Sequence, residues 1–176
     1  MKKLMTLVFV SAMAVSTYAT HLMGGQIVAT NIGGYDYQIE LTAYRDTIGV
    51  PMGLVAVFNV FEQDTSGGWI SLFTSSVNYD TTSGGLMPSV VSVYGVEVYT
   101  FIDTITMPGD GYYAISWDEC CRNGAIINMS NPLSESMKLS TFLTVDSLNP
   151  NSSASYTTPP VAYLPAHTLW QYNPLP

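Results

Sequence analysis

Beyond its first twenty residues, the chain alternates apolar and polar side chains at a period of two. Tyr37, Ile39, Leu41 and Ala43 alternate with Gln38, Glu40, Thr42 and Tyr44, the pattern of a half-buried strand. Ala56, Phe58 and Val60 repeat it. Tyr99, Phe101 and Ile105 alternate with Thr100, Ile102 and Thr104. Tyr113, Ile115 and Trp117 alternate with Ala114 and Ser116, and Leu139, Thr141, Leu143 and Val145 with Ser140, Phe142 and Thr144. Gly33-Gly34 reads as the turn of a hairpin between two short strands. Ser66-Gly67-Gly68, Ser83-Gly84-Gly85 and Pro108-Gly109-Asp110-Gly111 separate the other runs. No stretch follows a 3.6-residue period, although a short helix or turn fits between Asn123 and Glu135. The pattern predicts an all-β fold: an antiparallel β-sandwich, immunoglobulin-like or jelly-roll-like, over 20–148. From Asn149 the alternation stops, and 149–176 reads as a Pro/Ser/Asn-rich linker or edge segment leading to further domains of a longer polypeptide.

The first nineteen residues follow a different rule. Lys2 and Lys3 precede the apolar run Leu4–Val15, and Thr17-Tyr18-Ala19 offers small residues where a signal peptidase cuts. Residues 1–19 are therefore expected to be a cleaved signal peptide. The apolar run falls short of the about 20 residues a membrane span needs, and no later segment qualifies. The expected location is secreted or at the cell surface.

Composition narrows the function. Apolar residues make up 47% of the chain, enough for a core, and charged residues only 10%, against roughly 25% in ordinary soluble domains. The net charge of −8 includes Lys2 and Lys3, so the exported chain is more negative still, with Arg45, Arg122 and Lys138 as its only cations. Nucleic acid needs clustered cations and is excluded as a partner. An acidic surface fits solubility or calcium, for which Asp80, Asp103, Asp110 and Asp146 are candidate oxygen ligands. No EF-hand pattern is present, and no other cofactor or metal is expected.

Catalytic motifs are absent from the sequence. His21 and His167 sit near a terminus and in the Pro-rich tail, where a preorganised site is rare. Asp118 and Glu119 are adjacent, so on a strand they face opposite sides and cannot act together on one glycosidic bond. The expected protein is not an enzyme. Asp118, Glu119 and Asp46 are instead candidate ion-pair partners for Arg45 and Arg122, which end strong strand patterns in a cation-poor chain. Trp117 shares the face of Tyr113 and Ile115 and reads as core. Trp69 follows a Gly-Gly turn and is a candidate for stacking on a sugar ring.

Cys120 and Cys121 are adjacent and are the only cysteines. Across a trans peptide their Cα atoms lie about 3.8 Å apart, below the usual disulfide range of about 4.4–6.8 Å. Free thiols, a vicinal bridge and bonds to cysteines of another chain all remain open.

Three segments, THLMGGQIVAT, YQIELTAYRDT and YAISWDECCRNGAIINMSNP, together resemble the N-terminal region of large secreted and cell-surface proteins of Bacteroidota, of the gliding-motility-associated, type IX secretion kind. The pattern there runs through a GGEI block, LTLYRDC and CCRN-x-x-I-x-N, and the later NSSASYTTPPVAY is similar to a further family pattern. The resemblance implies an extracellular, β-rich module with adhesive, matrix or motility-associated roles, whose partners are other domains of a longer chain, cell-surface components or glycans. This chain has Thr47 where the pattern has Cys after YRD, and Leu164 and Pro165 where another Cys often follows the PP element. If those cysteines pair with the CC block, both partners are missing here. The triplets that place Thr47, Thr81, Thr104 and Ser147 after an Asp are similar to the O-glycosylation sequon of the same phylum, which makes these four candidate glycosylation sites.

Overall fold

Eight strands form two four-stranded antiparallel sheets packed face to face in the computed structural model, which describes residues 22–80, 89–91, 95–156 and 169. The strands are β1 (Leu22–Gly33), β2 (Asp36–Asp46), β3 (Val55–Gln63), β4 (Trp69–Asn78), β5 (Ser89–Val91), β6 (Val96–Thr106), β7 (Gly111–Cys120) and β8 (Ser136–Val145). The first sheet runs β1-β2-β6-β5 and the second β4-β3-β7-β8. Consecutive strands pair within one sheet, and the chain then crosses to the other. The central contacts β2–β6 and β3–β7 close each sheet across long sequence separations. The fold is a β-sandwich, as the alternation predicts. The signal segment, His21, Thr81, the Ser83-Gly84-Gly85 turn, His167 and Trp170 lie outside the described residues. Among the described residues no helix is long and apolar enough to cross a membrane. The region between Asn123 and Glu135 holds turns and one 3-10 turn at Pro132–Ser134.

The core is what alternation delivers. Tyr37, Ile39, Leu41 and Ala43 of β2, with Phe101 beside them on β6, face Phe58 and Val60 of β3 and Tyr113, Ile115 and Trp117 of β7, all buried. Burial of each large side chain is worth about 1.5–3 kcal/mol, and the inner faces interdigitate as in other sandwiches. The strands flanking Gly33-Gly34 are not short: β1 and β2 have 12 and 11 residues. Gly34 takes φ +55 in that turn, a conformation that glycine adopts without steric cost.

Two features of the sandwich could not be read from periodicity. β4 carries an extra residue, Leu72, where its pairing shifts between Ser71 and Phe73. The bulge breaks the alternation of WISLFTSSVN. The outer edge of β1 is covered by the segment after β8. Ser153 donates its N–H to the Ala29 carbonyl at 2.8 Å, and its Oγ accepts from the Ala29 N–H at 2.8 Å. The Oγ of Ser152 accepts from the Asn31 N–H at 3.0 Å. A serine-rich strip thus blunts an exposed strand edge.

Arg45 is the one ionised side chain among the buried described residues. Its guanidinium pairs with Glu97, its register partner on β6, and also donates to the carbonyls of Val50 and Gly49. The Tyr99 hydroxyl donates to the same Glu97 carboxylate at 3.2 Å. Breaking one partner out of such a buried pair costs roughly 3–5 kcal/mol. The partner is therefore Glu97 and not Asp46.

The two glycines of the MGGQ stretch are not equivalent. A Cβ on Gly25 would meet the Thr42 carbonyl oxygen at 2.6 Å and the Leu139 side chain at 2.7 Å, whereas one on Gly24 would meet nothing within 4 Å. Gly25 lets β1 approach β2 and β8 closely. Gly25→Ala is expected to lower stability by about 1–3 kcal/mol, the usual cost of overpacking, and Gly24→Ala to leave it unchanged or raise it by up to about 1 kcal/mol, because there only the entropy of the unfolded chain changes. Urea unfolding of the two variants measures the difference, and equal losses would refute the close-approach role.

Candidate functional site

The face of β7 that points away from the core carries small residues in its middle. Tyr112, Ala114, Ser116 and Asp118 alternate with the inward Tyr113, Ile115 and Trp117. Register sets bulkier neighbours on both sides. Ala114 lies between Phe61 of β3 and Phe142 of β8, and Ser116 between Asn59 and Ser140. The result is a groove of about 210 Å³ along the outer face of the second sheet, with Ala114 and Ser116 as its floor and Phe61, Trp69, Phe142, Ser140 and Lys138 around it. The floor residues are buried although they point outward, because the walls shelter them.

The walls are aromatic and mutually packed. The Trp69 ring lies 5.7 Å from Tyr112 and 5.7 Å from Phe142, tilted by 40° and 47°. Tyr112 and Phe142 are nearly parallel at 6.2 Å. These spacings suit aromatic pairs. Trp69, Tyr112 and Phe142 remain 42%, 39% and 53% exposed. They present apolar faces to water while their neighbours restrict their rotation, so little ordering cost remains for a ligand to meet. Lys138 Nζ sits 6.0 Å from the Phe61 ring centre, at the outer reach of a cation–π contact.

Trp69 is delivered by a tightly bonded turn. The Asp64 carboxylate accepts from the Ser66 Oγ–H at 2.6 Å and from the Ser66 and Gly68 N–H groups at 2.8 Å. Asp64 N–H donates to the Gly68 carbonyl at 2.8 Å, and Gly67 takes φ +85. The Ser66 hydroxyl, followed by the Gly68 amide, holds the Asp64 carboxyl below its ordinary value of 3.8.

The other residues singled out in the sequence are placed elsewhere. Cys120 and Cys121 are joined to each other by a disulfide across a cis peptide, with Cα atoms 3.0 Å apart. This is the vicinal bridge among the three states left open. They end β7 in a clasp between the sheets: Leu22 N–H donates to the Cys121 carbonyl at 3.0 Å and Asn123 N–H to the Leu22 carbonyl at 3.1 Å. Arg122 donates from Nε to the Ser136 carbonyl at 3.2 Å and forms no ion pair with Asp118 or Glu119. Burial raises the Glu119 carboxyl, the Cys120 amide partly offsets it, and the Asp118 charge raises it further. A nearby guanidinium would push it the other way.

Thr47, Thr104 and Ser147 are exposed. Thr47 and Ser147 lie in loops beside the exposed Ile48 and Leu148, whereas Thr104 lies within β6. The candidate calcium ligands with described contacts are engaged separately. Asp103 accepts from the Ser75 hydroxyl, Asp110 from the Ser147 N–H, and Asp146 from Leu148 and Asn149. Among the described residues no three Asp, Glu, His or Cys side chains converge as a metal site.

Of the groove, the sequence singled out only Trp69. Its partners Tyr112 and Phe142 are far away in the chain and meet it through strand register. Phe142 carried a usable signal, an aromatic ring in an outward position between Ser140 and Thr144. No protein-family model matches the chain, and comparison with curated proteins and with solved structures finds no match.

A lowered carboxyl contributes stability above its unfolded value and loses that contribution as pH falls through the folded value. Asp64→Ala is therefore expected to melt earlier than the parent near neutral pH, with the gap closing well below the ordinary value of 3.8. Thermal melts at the two pH values check this, and a gap that stays constant would remove Asp64 from the turn's support.

Proposed function

We propose that this domain is a non-catalytic module of a secreted or cell-surface protein, and that it adheres by stacking glycan chains in the groove bounded by Trp69 and Phe142. One observation carries the reading. Two exposed rings, Trp69 and Phe142, border a shallow trough whose floor is kept low by Ala114 and Ser116, and the exposed Tyr112 ring packs against both of them. The apolar face of a sugar ring fits such a surface, and its hydroxyls find the Ser116 and Ser140 side chains beside it. Stacking of this kind needs no reactive group, only rings held ready.

The extracytoplasmic setting is supported by the signal-like segment and by the Cys120–Cys121 disulfide, which belongs to oxidising compartments. The resemblance to the N-terminal regions of Bacteroidota surface proteins supports the same setting. In this reading the module belongs to a longer, gliding-motility-associated surface chain.

Binding of the purified protein to a glycan array, followed by calorimetry on the hits, tests the reading. Trp69→Ala is expected to weaken binding about 5- to 150-fold, given losses of about 1–3 kcal/mol for an aromatic stacking contact. Ala114→Leu should abolish binding by filling the trough while leaving the melting temperature near the parent's. An array without hits, or hits indifferent to both substitutions, would overturn the proposal.

A further inference from the structure

Lys138 stands apart from the other cations of the chain. Arg45 is buried against Glu97, and Arg122 is spent on the Ser136 carbonyl. Lys138, on the outer face of β8, lines the groove, and its ammonium makes no hydrogen bond or ion pair with any described residue. Its register partner on β7 is Asp118, yet the two do not form an ion pair, and Asp118 does not line the groove. The ammonium instead leans toward the Phe61 ring at 6.0 Å. Three unused donors on one positive charge therefore stand at the end of an otherwise uncharged aromatic trough.

We infer that the groove selects a glycan carrying a uronic acid beside neutral sugars, with the neutral ring stacked at Trp69 and Phe142 and the carboxylate on Lys138. This rests on the glycan reading of the groove and names its ligand class. A single ammonium matches a single carboxylate. The net charge of −8 across the chain disfavours a polyanion in which every unit is charged. A carboxylate accepting from Lys138 makes a charge-assisted hydrogen bond, stronger than the contact a neutral hydroxyl could offer. A lysine on an edge strand also discourages strand pairing. A residue kept for that purpose alone would leave binding untouched when replaced.

The test is calorimetry with two matched oligosaccharides, one neutral and one with a single hexose oxidised to the uronic acid. The parent protein is expected to prefer the uronate roughly two- to fivefold at low salt, the worth of a partly exposed charged contact. The preference should shrink as salt is added. Lys138→Gln should erase the preference while leaving the melting temperature unchanged. Equal affinities in the parent, or a preference that survives Lys138→Gln, overturn the uronate inference and leave the groove a glycan site. Failure of both sugars to bind, with the array also empty, overturns the glycan reading and this inference with it.

Discussion

Side-chain alternation across β7 is the constraint on which the rest of the molecule depends. Every second residue, Tyr113, Ile115 and Trp117, is committed to the interior between the sheets. The intervening residues can then be small without loss to the core, and Ala114 and Ser116 are. Neighbouring strands keep aromatic rings at the flanking outward positions, so the sheet itself becomes a trough with low floor and high walls. A one-residue slip of β7 would move Trp117 outward and destroy core and groove together. Fold and candidate site therefore share one register.

The clasp and the aromatic rings sit on different stretches of β7 and its neighbours. Cys120, at the far end of β7, belongs to the clasp that ties Leu22 to Cys121 and Asn123. Asn123 also donates from Nδ2 to Asp46 at 3.1 Å, next to the buried Arg45 and its Glu97 partner. The segments that carry the resemblance thus meet at one end of the sandwich: the first through Leu22 and Gly25, the second through Arg45 and Asp46, the third through Cys120 to Asn123. Tyr112 lies at the other end of β7, roughly 25 Å away at about 3.4 Å per strand residue, and the groove runs from there back toward Lys138, opposite Asp118.

Much of this was legible in the sequence, for local reasons. β2, β3, β6, β7 and β8 follow clean period-two patterns, and a sandwich follows from several such strands with turns between them. β4 escaped because its bulge at Leu72 interrupts the pattern. Arg45 was legible as a structural cation, but its partner was not: Asp46 is next to it in the chain, whereas Glu97 is next to it only after β2 and β6 pair. Trp69 stood out by following a Gly-Gly turn, while Tyr112, Phe142 and Lys138 join it through pairings that no local pattern encodes. The vicinal bridge was one of three open states because sequence alone carries no information on the Cys120–Cys121 peptide.

The proposed groove is where a bound glycan would sit. Hydroxyl-radical footprinting read by mass spectrometry, with and without a bound oligosaccharide, reports that residue by residue. The account predicts that Trp69, Tyr112 and Phe142 lose reactivity together on binding while Ile48, Ile127 and Leu148, exposed elsewhere, do not change. Protection confined to the loop between Asn123 and Glu135, with the three rings as reactive as before, would contradict it.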